Sequence, residues 1–183
     1  MAYHFEAYYA LTPIHEETRA WIEQEYEIEP NAEDPSGGFC VRSDISLNEI
    51  KTELLAQLSQ QGKALYLASF SSGDVFYFQY WQNGSCQRAL AYESDSGWIE
   101  VSGQPEPWEK HAFFGSPTQI ERYLNDLKAE LGTESPEYQK TEALMKRIQA
   151  NQTVEAGAFL PGISAELCAI KVFQHYQIEL PFA

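Results

Sequence analysis

The dipeptide Asn83-Gly84 falls between two runs of large apolar residues alternating with smaller or polar ones, and nothing else in the chain limits its fold so tightly. A two-residue hairpin loop needs positive φ at both central positions, which asparagine and glycine tolerate best. Residues 75–81 and 86–93 are therefore expected to be adjacent antiparallel strands. Ser72-Gly73 and Asp95-Ser96-Gly97 mark further bends, so 65–70 and 98–102 join them and positions 63–102 read as a four-stranded meander.

Bend lengths set register, and register decides which side chains share a face. Asn83-Gly84 places Trp81 opposite Cys86, Gln79 opposite Arg88, Phe78 opposite Ala89 and Phe76 opposite Ala91. Ser72-Gly73 places Phe70 opposite Val75 and Leu67 opposite Phe78, and the Gly97 bend places Ala91 opposite Val101 and Glu93 opposite Ile99. One face then carries Leu65, Leu67, Phe76, Phe78, Tyr80, Ala89, Ala91, Ile99 and Val101, and is expected to be core beneath a helix. The other carries Tyr66, Phe70, Val75, Tyr77, Gln79, Trp81, Arg88, Leu90, Tyr92, Trp98 and Glu100. That second face is either covered by further helices or left partly open as an aromatic binding surface, since Tyr, Trp and Arg dominate binding hot spots.

Helix signals flank the meander. Thr12-Pro13 reads as an N-cap and first turn ahead of Ile14, Thr18, Trp21, Ile22 and Tyr26 at helical spacing. Ser46-Leu-Asn-Glu49 has capping-box form and leads to Leu47, Ile50, Leu54 and Leu58, with Gly62 as the stop. Ser116-Pro-Thr-Gln119 repeats the box and opens a helix closed by Gly132, Ser135-Pro136 opens another to about Ala150, and Ser164 caps a last one. Phe39–Arg42 is a short strand candidate, and the stretch from Phe5 to Leu11 an edge strand. These elements describe a single α+β domain over residues 1–183, with an antiparallel meander of four to five strands packed by about five helices. The helical part after the meander spans 116–177.

Charge narrows the function classes. Across 183 residues, 12 Lys+Arg stand against 27 Asp+Glu, a net of −15. Direct nucleic-acid binding needs a basic footprint that this chain lacks. Eight carboxylates lie between Glu16 and Asp34 against the one base Arg19, which reads as a solvated helix face or as a docking surface for a basic partner. No apolar stretch approaches the ~20 residues of a membrane span, and the N-terminal residues lack a secretory pattern. Cys40, Cys86 and Cys168 are single and far apart, as in a reducing compartment. A cytoplasmic location is expected.

Chemistry-bearing motifs are sparse. No metal site is expected from His4, His15, His111 and His175, although Cys168 and His175 lie seven residues apart on one expected helix, and no phosphate-binding or nucleophile motif calls for a cofactor. The richest stretch for acid–base groups is 98–114, with Glu100, Glu106, Trp108, Glu109 and His111. A carboxylate beside tryptophan can have its pKa raised by desolvation, and histidine titrates near neutrality. The same residues also describe a rigid Pro-Glu-Pro-Trp loop whose indole plugs the sheet edge, with Glu109 paired to Arg88 or bonded to a helix N-terminus.

The pattern Arg88-x-Leu90-x-Tyr92-x-x-Asp95-x-Gly97-Trp98, then Val101, Gly103, Pro105, Trp108-Glu109 and Phe113, resembles a segment of uncharacterised bacterial α+β proteins. They share a hairpin followed by Gly-Trp, Gly and Trp-Glu; similar acidic domains occur among immunity proteins of toxin systems. The resemblance covers residues 88–113 and implies a bacterial origin and a protein partner, without implying a reaction or any functional residue. The leading expectation is a non-catalytic protein, immunity- or adaptor-like, that binds a protein partner, basic if the acidic surface does the docking, through an acidic or aromatic surface. Its candidate binding residues are Trp81, Arg88, Tyr92, Trp98, Glu100, Trp108, Glu109 and His111. The alternative is a small hydrolase or small-molecule-binding protein that uses the aromatic face, with at least two of Arg88, Glu100, Glu109 and His111 converging in a concave pocket.

Overall fold

The computed structural model describes residues 4–26, 39–42 and 50–178; the side chains of His4, His111 and residues 39–42 are not described. Six strands form one antiparallel sheet in the order β2-β1-β3-β4-β5-β6. They are β1 (His4–Ala10), β2 (Phe39–Arg42), β3 (Lys63–Phe70), β4 (Val75–Gln82), β5 (Ser85–Glu93) and β6 (Gly97–Gly103). The α+β class holds: the expected antiparallel meander is β3 to β6, and β1 and β2 extend it to a sheet of six. β1 is no edge strand: it lies between β2 and β3, pairing Tyr8 with Val41 on one side and with Tyr66 on the other.

The helices are α1 (Glu16–Glu25), α2 (Thr52–Leu58), the single-turn α3 (Glu109–Ala112), α4 (Pro117–Leu131), α5 (Pro136–Asn151) and α6 (Ala165–Tyr176). Ser116 and Gln119 make the full reciprocal box at α4, while Ser135 and Ser164 accept the backbone N–H groups of Tyr138 and Leu167. Each satisfies an amide the helix itself cannot. The Thr12-Pro13 start does not hold. Leu11 donates its amide to the Lys63 carbonyl, so the chain is still tied to β3 there, and α1 begins after His15 with no side-chain cap. Gly62 is likewise no helix stop, because α2 ends at Ser59, whose hydroxyl bonds back to the Ala56 carbonyl and accepts the Gly84 amide. The capping box at 46–49 lies outside the described residues.

Both sheet faces are covered over much of their area. One packs Phe5, Tyr9, Leu67, Phe76, Phe78 and Leu90 against Ile120, Met145, Ile148, Val172 and Phe173 of α4, α5 and α6. The other packs Tyr8, Ala64, Tyr66, Ala68 and Phe70 against Ile22, Leu54, Leu55 and Leu58 of α1 and α2.

Asn83 and Gly84 both have positive φ, at 53° and 72°, and Trp81 faces Cys86 as the two-residue loop demands. Beyond that point the expected register is wrong by one. A bulge at Tyr80/Trp81 leaves Gln87 without an opposite number, so Tyr80 faces Arg88, Phe78 faces Leu90 and Phe76 faces Tyr92. A second irregularity at Ala91/Tyr92 leaves Ile99 over, so Tyr92 faces Trp98, Ala91 faces Glu100 and Leu90 faces Val101. An extra residue turns every later side chain to the opposite face. Arg88, Leu90, Tyr92 and Trp98 thus point inward with Phe76 and Phe78, while Ala89 and Ala91 turn away from them. The physical reason is size. The shifted register buries Leu90, Tyr92 and Trp98, each at most 1% exposed, beneath the helices in place of two alanines and Ile99, and burial free energy scales with apolar area.

Candidate functional site

The bulged register carries Arg88 under the covered face, toward the end of β6 and the loop into α3. Its Nε donates to both Glu109 oxygens at 3.2 and 3.1 Å, and one terminal nitrogen reaches Oε2 at 2.7 Å. The other terminal nitrogen donates to the carbonyls of Ser102 and Gly103 at 3.0 and 3.1 Å. Glu109 also accepts the Glu106 amide at 3.0 Å. Both side chains are 2% exposed. The close approach is possible because position 103 is glycine: with φ at 77°, a Cβ there would run into the Gln87 carbonyl. A buried charge pair is tolerated when hydrogen bonds satisfy it on all sides, and this one is.

A second group adjoins it. One oxygen of Glu106 accepts from Trp108 Nε1 at 2.8 Å and from the Tyr176 hydroxyl at 2.6 Å. The Trp108 indole stacks on the His175 ring with centroids 4.4 Å apart and meets Phe78 and Phe113 edge-on. Burial holds the His175 imidazole below its ordinary value of 6.5, Lys63 pushing the same way and Glu106 opposing. Burial, then the Glu106 contact, pushes the Tyr176 phenol far up. The Pro-Glu-Pro-Trp loop therefore plugs the sheet with its indole and is latched to α6 by Glu106. Glu106, Trp108 and Tyr176 are bound to one another, while the exposed His175 meets this group through ring contacts.

The eight candidate residues do not share a surface. Arg88, Tyr92, Trp98, Trp108 and Glu109 lie on the side covered by α4 to α6; Tyr92 donates to the Ile163 carbonyl at 3.1 Å, and burial pushes its phenol up to about 12. Trp81 and Glu100 lie on the opposite side, and the His111 side chain is outside the described residues. Of the four groups assigned to a pocket, Arg88 and Glu109 do meet, but as a closed pair, and Glu100 stands across the sheet from them.

On that opposite side α2 lies over β1, β3 and β4. Toward β6 the register gathers Tyr77, Gln79 and Trp81 from β4, Ala89, Ala91 and Glu93 from β5, and Glu100 and Ser102 from β6. Glu100 and Ser102 are exposed, while the three β4 side chains and Glu93 are half-buried. Trp81 Nε1 donates to Gln79 Oε1 at 2.9 Å. Burial, then the charges of Glu93 and Glu100, raise the Tyr77 phenol above its ordinary value. Glu93 was missed from sequence because its role depends on the bulge.

Glu6 was also missed. It lies on β1, 8% exposed, with the Tyr8 hydroxyl 3.3 Å from Oε1 and Oε2 without a hydrogen-bond partner among the described residues. Burial raises its carboxyl above the ordinary 4.5, with the nearby Tyr66 and Tyr8 hydroxyls and the charge of Lys51 pulling the other way. Its signal was the alternation Glu6-x-Tyr8 on a strand with both faces covered.

Among the described residues, no three His, Cys, Asp or Glu side chains are placed to hold a metal ion, and no helix is long and apolar enough to cross a membrane. Residues 41–126 match the model of a family of unknown function (DUF6928), a span that takes in β3 to β6, Arg88, Glu109, Glu93 and Glu100. No curated protein and no solved structure matches the chain.

Proposed function

We propose that this is a non-catalytic, cytoplasmic protein that binds a positively charged protein partner through an acidic and aromatic surface, in the manner of a bacterial immunity protein or adaptor. One observation carries the reading: Arg88 and Glu109, and beside them Glu106, Trp108 and Tyr176, are bound to one another beneath α4 to α6, whereas most carboxylates in excess stand outside. Glu16, Glu17, Glu23 and Glu25 of α1 are all exposed, as is Glu53 of α2. Arg19 is the one base on α1. A field of that sign speeds encounter with basic surfaces and repels acidic ones. A reactive centre would instead call for an acid, base or nucleophile free to meet a substrate.

The test is affinity capture from extract of the source cell on the immobilised chain, followed by a rising salt gradient. The expected result is a discrete set of basic proteins released as salt screens the attraction. Retention of acidic proteins alone, or release only by denaturant, would contradict the reading.

A further inference from the structure

We infer that the part of the second sheet face toward β6, where Trp81, Tyr77, Glu93 and Glu100 stand, is the docking surface, and that its occupant is an arginine-bearing segment of the partner protein. The inference rests on the reading above and adds the place and the chemistry. Tyr77 and Trp81 stand on β4 and Glu100 on β6, with Ala91 of β5 directly between Tyr77 and Glu100. Strands are spaced about 4.8 Å apart, so the aromatic and carboxylate rows lie about 10 Å from each other on either side of the alanines. Ala89 and Ala91 are 3% and 1% exposed, so the side chains of the rows beside them close over the alanines, and an occupant meets the half-exposed rings and the carboxylates rather than the strand between them.

Such a surface suits a guanidinium. Its flat face stacks on an indole or phenol ring while its edge donates to a carboxylate, and lysine can do only the second well. Charge complementarity agrees: among the described residues no Lys or Arg forms an ion pair with Glu93 or Glu100. Nor does β5 supply an arginine of its own, because the bulge at Tyr80/Trp81 turns Arg88 to the other side of the sheet. The exposed Ile99, 43% accessible, lies beside Glu100 and adds apolar contact at the rim.

The experiment titrates the ¹⁵N-labelled full chain with an amidated hexa-arginine peptide, following the four tryptophan indole signals, with a hexaglutamate peptide as control. The Trp81 indole is expected to shift and the buried Trp98 indole to stay. Glu93→Gln with Glu100→Gln should weaken the peptide about tenfold, whereas Glu16→Gln, Glu17→Gln, Glu23→Gln and Glu25→Gln together should weaken it no more than ~threefold, although they remove twice the charge. If the α1 variant costs more than the sheet variant, the assigned face is wrong and net charge alone does the binding. If hexa-arginine does not bind, the face is again wrong, and the extract capture decides by itself whether the broader reading survives.

Discussion

Glu6 shows what one side chain can cost a core. Its Oε2 lacks a donor among the described residues, and the nearby Tyr8 hydroxyl is committed both to Oε1 and to the Lys51 amide. A carboxyl whose pKa is raised by folding holds its proton more tightly in the folded chain than in the unfolded one. Stability is then highest below the ordinary value of 4.5 and is lost as pH rises from there through the raised value, becoming level above it. Glu6→Gln removes that titration. Urea denaturation of both proteins from pH 4.5 toward neutrality should show the variant gaining on the wild type as pH rises. Parallel pH profiles, or a wild type that gains instead, would contradict the burial assigned to this carboxylate.

At the scale of elements, α6 is held at its N-terminus by two oxygens from different parts of the chain. Ser164 accepts the Leu167 amide at 3.2 Å, and Asp74, from the bend between β3 and β4, accepts the Ala165 amide at 2.7 Å. Asp74→Ala should therefore cost about 1 kcal/mol, since a capping acceptor and a favourable charge on the helix dipole are lost together. Chemical denaturation checks the figure, and an unchanged midpoint would show that the turn does not anchor α6. The contrast between these two caps explains what could be read in advance. Ser116, Ser135 and Ser164 are local devices whose partners lie three residues on, so sequence reveals them. Asp74 acts 91 residues away and leaves no local pattern. The bulges are of the same kind: Asn83-Gly84 sets the pairing at its own end, but the extra residues Gln87 and Ile99 depend on which side of the sheet α4 to α6 will cover. The hint was present in the larger bulk of Leu90, Tyr92 and Trp98 relative to Ala89 and Ala91. Turn length alone does not register it. The candidate site follows the same split: turn length puts Trp81 and Glu100 on their proper face and Arg88, Tyr92 and Trp98 on the wrong one.

For the molecule as a whole, the sheet separates two kinds of polar chemistry. Beneath α4 to α6, Arg88 ties β5, the end of β6 and α3 together by closing on Glu109. Across the sheet, Glu93 and Glu100 stand beside Tyr77 and Trp81 with no arginine among them. If Arg88 were on that second side instead, it would neutralise the acidic surface and the docking account would fail with the fold. The stability of Arg88→Ala, by guanidinium denaturation at neutral pH, is thus the most direct measurement. The account predicts a loss of about 3–5 kcal/mol, the cost of leaving the Glu109 carboxylate buried without its partner. A variant within about 0.5 kcal/mol of the wild type, as for an ordinary surface substitution, would place Arg88 outside the core and contradict it.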